Sequence, residues 1–204
     1  MSLQVLITGA SRGLGLELVR QYATRGEASV IFAACREGAN APGLRAFLQE
    51  LQAQQQQGPT TTPVVVHPVS LDVTSPASVA ALSDTLKTHD ARINVLWNNA
   101  GVALGRQCNV GDNTMDYDEF SSSLGTNVMG PVRVLEACVP HLDVDGADGF
   151  TVVNMSSGLG SISRVMGGGF NTLSQDIVYR SSKAALNMCT VCAAAELKAK
   201  FPGK

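Results

Sequence analysis

The chain has 204 residues, of which 45% are hydrophobic and 16% charged, with a formal net charge of -2. That is enough chain for one domain around a sizeable core, and it carries no basic field to attract nucleic acid or anionic lipid. MSLQVLITGA lacks the cationic start and long apolar stretch of a secretory leader, and no run of ~18 apolar residues is present to span a bilayer. The expectation is a single soluble, cytoplasmic domain over 1–204.

LQVLIT (3–8) predicts a first strand. A helix follows from about Gly13, with Leu14, Leu18 and Tyr22 as its apolar repeat and Gly26 as its stop. SVIFAA (29–34) is the second strand, followed by a helix over roughly 43–54. QAQQQQGPTTTP (52–63) reads as a helix end and an exposed loop. VVVHPVS (64–70) is the third strand, after which Thr74-Ser75-Pro76 supplies a cap and a first-turn proline for a helix running to about Thr88. INVLW (93–97) is the fourth strand and FTVVNM (150–155) the fifth. Between them a long helix covers roughly 116–140, with a kink expected near Gly130-Pro131. A last helix covers roughly 176–200. Five near-continuous apolar strands separated by helices imply a parallel sheet covered on both faces, the open doubly wound α/β (Rossmann) fold in three α/β/α layers.

Five cysteines, scattered and odd in number, argue against a disulfide framework. Cys189 and Cys192 form a C-x-x-C, but without a second pair or matched histidines they predict core packing and no metal site. His67, His89 and His141 neighbour no motif, and Met155, Met166 and Met188 read as packing or loop residues.

TGASRGLG (8–15) closes the first strand and opens the first helix. Gly9 permits a tight turn, Gly13 lets backbone approach a pyrophosphate, and Gly15 allows close helix–strand packing. The free amides of the helix N-terminus attract the negative charge. The second strand runs into Ala34-Cys35-Arg36, where an acidic residue would bind the ribose hydroxyl of NAD; Arg36, with Arg12, suits a 2′-phosphate and so NADP(H), although Glu37 is one residue on. Asp72 and Val73 follow the third strand, and Asn98, Asn99, Ala100 and Gly101 the fourth. They stand at the edge where such sheets bind ligands, or they are turn and loop formers.

Tyr179 and Lys183 lie four residues apart, on one face of a helix. They form either a surface pair or a phenol beside a cation, and an ammonium near a phenol favours the phenolate. TGASRGLG, LDVT (71–74), NNAG (98–101), Asn127 in GTNVMG, VNMSS (153–157) and Tyr179-x-x-x-Lys183 together resemble the short-chain dehydrogenase/reductase family, in its order and across nearly the whole chain. INVLWNNAG, NMSSGLGSIS and VYRSSKAALN look most like the sniffer/C-factor branch of carbonyl reductases. The resemblance implies that Tyr179 is the general acid–base, that Lys183 assists it and holds the nicotinamide ribose, that Ser157 polarises a carbonyl, and that Asn127 supports a water-linked relay to the lysine. It also implies dinucleotide contacts from Gly9, Ser11, Arg12, Gly13, Leu14, Gly15, Arg36, Asp72, Val73, Asn99, Ala100, Gly101, Tyr179 and Lys183. NADP(H) would serve a small carbonyl or alcohol substrate, in a homodimer or tetramer paired through the helices at 116–140 and 176–200.

Two features depart from the family. The loop between Ser157 and Tyr179 is long, and Gly167-Gly168-Gly169 loosens part of it, as a substrate lid or as an insertion that displaces Ser157. The family fold continues with further strands beyond the last helix, so the fifth strand would keep a bare edge and the pocket would lack a wall. A non-catalytic nucleotide-binding or signalling protein, or a truncated inactive form, is the alternative.

Overall fold

The apolar runs form β1 (Leu3–Thr8), β2 (Ala28–Cys35), β3 (Val65–Ser70), β4 (Val95–Asn98) and β5 (Thr151–Asn154). The helices are α1 (Gly13–Arg25), α2 (Pro42–Gln56), α3 (Pro76–Thr88), α4 (Tyr117–Leu124), α5 (Gly130–Cys138), α6 (Ile162–Met166) and α7 (Ile177–Lys200). The computed structural model describes residues 3–56, 64–105, 108, 110–111, 113–146, 149–167 and 176–203. The chain divides into two compact units, Met1–Ala100 with Arg133–Val153 and Gly101–Val132 with Asn154–Lys204.

The first unit is built on the expected parallel sheet, in the order β3-β2-β1-β4-β5. β1 pairs in parallel with both β2 and β4, so the order reverses beside β1. That reversal is the switch point where open α/β sheets take their ligands. Alternate pleat positions sort the core. Val5, Ile7, Ile31 and Ala33 pack with Val19 and Ala23 of α1 and Leu44, Phe47 and Leu51 of α2. Leu6 and Phe32 point to the opposite face, where Leu82 and Leu86 of α3 are also fully buried. Fully burying one such side chain stabilises by ~1.5–3 kcal/mol. Gly26 ends α1 in the left-handed conformation at φ 67°, and Ser75 caps α3 ahead of Pro76 by accepting from the Ser78 amide.

Several expectations shift. The fully buried stripe of α1 is Gly15, Val19 and Ala23; of the expected repeat, Leu18 and Tyr22 are partly buried against the same core, whereas Leu14 is 66% exposed. Small residues face the sheet because helix and strand approach closely there; Leu14 stays at the open end. The fourth strand starts later, at Val95, and Ile93 makes only an isolated bridge to Leu142. Of the glutamine-rich stretch, 52–56 belongs to α2, and 57–63 lies outside the described residues.

The long helix at 116–140 is three pieces. A π turn over Gly125–Met129 separates α4 from α5 and closes with the Gly130 amide donating to the Gly125 carbonyl. Pro131 has no N–H for the carbonyl four residues back, so the disturbance falls on the turn before it. In the second unit α7 packs on α4 and on this π turn, with Val178, Ser182, Lys183 and Leu186 buried. The opposite side of α7 is exposed at Met188 and Val191. Cys192 is exposed and Cys189 half-buried, so the C-x-x-C is no core element; Met188, 64% exposed, is no packing residue either. The segment after Ser157 contains α6, while 168–175, with Gly168 and Gly169, lies outside the described residues. No helix among the described residues is long and apolar enough to cross a membrane.

Candidate active site

The glycine loop of the first unit is held from below by β4. The Thr8 hydroxyl, buried, accepts from the amides of Asn99 and Ala100 at 3.0 Å each, and the Asn99 amide group donates to the Thr8 carbonyl at 2.9 Å and the Gly9 carbonyl at 3.4 Å. A Cβ at Gly9, whose φ is 70°, would lie 2.9 Å from Ala100 Cα, and one at Gly15 would lie 2.2 Å from the Gly9 carbonyl oxygen. Both glycines are therefore obligatory for the packing. Gly13 differs: its φ is 57° and nothing lies within 4 Å of its missing Cβ. Arg12 is the N-cap of α1 and gives no side-chain cap, in contrast to Ser75 on α3 and Asp116, which accepts from the amides of Asp118 and Glu119 at α4. An uncapped helix start behind an open glycine is a fitting seat for a phosphate.

Ser11 is half-buried, while Arg12, Leu14 and, at the end of β2, Arg36 are exposed. Asp72 accepts from the Thr74 hydroxyl at 2.6 Å and the Thr74 amide at 2.9 Å, forming the turn after β3. These bonds hold its carboxyl below the usual value, with a smaller push from the Arg36 charge. Val73 beside it is buried. Asp72, Val73, Arg36, Asn99 and Ala100 thus all stand at carboxyl ends of strands in the first unit; Gly101 opens the second.

In the second unit, Lys183 is 5% exposed. Its Nζ donates to the Met155 carbonyl at 2.7 Å and stands 5.7 Å from the centre of the Tyr179 ring. Burial lowers the Lys183 pKa from its ordinary value, because the apolar setting penalises the ammonium. Tyr179 is half-buried one turn earlier on the same face. Ser157 opens the turn after β5, and its hydroxyl accepts from the Leu159 amide at 3.2 Å. Asn127, fully buried in the π turn, accepts from the Val102 amide at 2.9 Å, donates to the Val102 carbonyl at 2.8 Å and donates to the Ser182 hydroxyl at 3.0 Å. Its side chain therefore latches the segment after β4 to α7. Glu119 adds to this by accepting from the Gly105 amide at 2.8 Å.

Thr8, Ser182 and Asn187 escaped the sequence reading. Thr8 lies inside the strand end of the glycine motif, and Ser182 and Asn187 lie on α7 within VYRSSKAALN, but only their long-range bonds reveal what they hold. No group of three or more metal-binding side chains occurs among the described residues.

A sheet whose order reverses at β1, an open glycine start to α1, and a buried lysine one turn from a tyrosine stand on a Rossmann-like fold. The model of the short chain dehydrogenase family matches residues 4–200, and the chain belongs to that family. It is 29% identical over 175 residues to (+)-neomenthol dehydrogenase of Arabidopsis thaliana, covering 79% of this chain and 55% of that protein. It is 33% identical over 181 residues to an uncharacterized oxidoreductase of Schizosaccharomyces pombe, covering 89% of this chain and 62% of that one. The chain thus spans little more than half the length of these relatives. Among solved structures, the NADPH-bound carbonyl reductase from chicken fatty liver superposes with a TM-score of 0.75 at 29% identity, covering 98% of this chain and 72% of that one. Sniffer of Caenorhabditis elegans gives 0.76 at 26% identity, covering 98% and 82%.

Proposed function

We propose that the chain is an NADP(H)-dependent oxidoreductase that moves hydride between the nicotinamide and a small carbonyl or alcohol substrate. The observation that carries this reading is the buried ammonium of Lys183 beside the Tyr179 ring, on a helix to which the Ser157 turn is fastened. A general acid must carry a transferable proton near neutral pH, and a desolvated cation next to a phenol favours release of that proton. Tyr179 would protonate the carbonyl oxygen, and Ser157 would donate a hydrogen bond to the same oxygen. Such a donor, aimed where negative charge develops, typically contributes about 3 kcal/mol to the barrier. Asn127 would support the relay that reloads Lys183 by keeping the π turn and residue 102 in place.

In the first unit, the amides of Gly13, Leu14 and Gly15 would take the pyrophosphate, and Arg12 and Arg36 the 2′-phosphate. Ser11, Gly9 and the Asp72, Val73, Asn99, Ala100 and Gly101 segments would line the rest of the dinucleotide, and Tyr179 and Lys183 would meet its nicotinamide ribose. NADPH, when bound, supplies the hydride. The NADPH in the chicken-liver neighbour supports this choice over NAD(H). The exposed apolar side of α7, with Met188 and Val191, supports pairing into a homodimer or tetramer, which sedimentation would measure.

The test is NADPH consumption against a panel of small aldehydes and ketones. Turnover that Tyr179→Phe lowers by about 10²–10⁴-fold, with NADPH binding kept, is the expected result. Tight NADPH binding without turnover of any carbonyl would instead favour a non-catalytic nucleotide-binding protein.

A further inference from the structure

Residues 154–160 run from the last residue of β5 and carry Ser157, and side chains of α7 fasten them inside the second unit. Asn154 Nδ2 donates to Thr190 Oγ1 at 2.8 Å, and Lys183 Nζ donates to the Met155 carbonyl at 2.7 Å. Asn187 makes the other two links. Its Oδ1 accepts from the Ser156 hydroxyl at 2.6 Å and its Nδ2 donates to the Gly160 carbonyl at 3.4 Å. One amide therefore grips the residue before Ser157 and the residue three after it. At the second grip, a Cβ on Gly160 would stand 2.8 Å from the Lys183 carbonyl carbon and 2.9 Å from its Cβ, so the turn lies directly on α7.

Tyr179, Lys183 and Asn187 follow one another at steps of four along α7 and share a stripe of it. We propose that Asn187 is the positioning residue for Ser157, holding the serine turn in register on the helix that carries Tyr179 and Lys183. This rests on the function proposed above. A carboxamide suits the task because it offers an acceptor and a donor in one plane, whereas aspartate keeps only the acceptor and alanine keeps neither. The Ser157 hydroxyl accepts from Leu159, and among the described residues nothing takes its proton. The proton can then be directed at a substrate oxygen only as well as the turn is held. Asn187 is itself exposed, so water replaces its bonds when it is removed and the helix survives; the register is what is lost.

The experiment compares the full wild-type chain with Asn187→Ala, Asn187→Asp, Ser156→Ala and the Ser156→Ala/Asn187→Ala double variant. Three readouts are taken: amide hydrogen exchange over 155–162, NADPH affinity by fluorescence, and kcat and KM on the best of 4-nitrobenzaldehyde, phenylglyoxal and cyclohexanone. Asn187→Ala is expected to speed exchange at Leu159 and Gly160 and to lower kcat, each by about tenfold, while NADPH affinity stays within about twofold. Asn187→Asp, which keeps the Ser156 bond, falls between, and the double variant loses less than the product of the single losses. Unchanged exchange, or faster exchange with wild-type kcat, overturns the positioning role alone. A wild-type chain that reduces none of the carbonyls overturns the proposed function, and the positioning role with it.

Discussion

Two loops of this molecule are held by an asparagine side chain, and they are held differently. In the first unit Asn99 secures the glycine loop through part-buried bonds to two backbone carbonyls, next to Gly9 and Gly15, where an added methyl would strike backbone. In the second unit Asn187, exposed on α7, secures the Ser157 turn through one hydroxyl and one carbonyl. The first arrangement tolerates almost no change in shape, as the proposed seat for a diphosphate would require. The second fixes direction with bonds that water can replace, so its failure should reach rate before it reaches fold.

Gly15→Ala tests the first half most severely. Its Cβ meets the Gly9 carbonyl oxygen at 2.2 Å, so NADPH affinity should fall by more than about a hundredfold, and stability by ~1–3 kcal/mol. Titration by fluorescence and denaturant unfolding would measure both. Gly160→Ala sets the same added methyl against the Lys183 backbone instead. It should lower kcat by about thirtyfold and leave dinucleotide affinity near wild type, since a small misplacement near the chemistry is costly. If NADPH affinity fell equally in both variants, the contrast between the loops would collapse. Arg36→Glu sharpens the assignment of the 2′-phosphate: the preference for NADPH over NADH should shrink by about tenfold, the worth of one charge-assisted contact. Steady-state kinetics with both dinucleotides reads it directly.

The smallest effect concerns acid stability of the first unit. The rings of His67 and His89 lie 4.1 Å apart, with Phe32 stacked on His67. Burial, then the neighbouring His89, lowers the His67 pKa; burial, then Lys87, lowers that of His141, whose ring bonds to the Ser83 hydroxyl. Both imidazoles thus stay neutral in the fold while the unfolded chain takes up protons near pH ~6.5. The stability they contribute is complete above that pH and is lost as pH falls through it toward the folded values. Thermal midpoints measured between pH 7.5 and 5 should decline, and His67→Phe should decline less.

Much of this architecture was legible because it is local. Apolar runs of strand length, Gly26 as a stop and Ser75-Pro76 as a start are decided by neighbouring backbone and side chains. Other features were misread because spacing does not say which way an element faces. Of the four-residue repeat Leu14, Leu18 and Tyr22, the last two do pack against the core, yet Leu14 is exposed and the fully buried stripe is Gly15, Val19 and Ala23. Alanine-rich surroundings suggested a buried C-x-x-C, and Cys192 proved exposed. Gly130-Pro131 marked a kink that the helix expresses upstream, as the π turn holding Asn127.

By itself the amino-acid order determined the strand–helix alternation, the glycine start of α1, and the pairing of Tyr179 with Lys183 one turn on, since each depends on residues within a few positions. Tertiary structure alone decided that Lys183 is desolvated, that Asn127 is spent on Val102 and Ser182, that Phe32 stacks on His67, and that Asn187 spans Ser157. Those properties arise from contacts between residues far apart in the chain, and the energies of burial and hydrogen bonding exist only once folding brings the partners together.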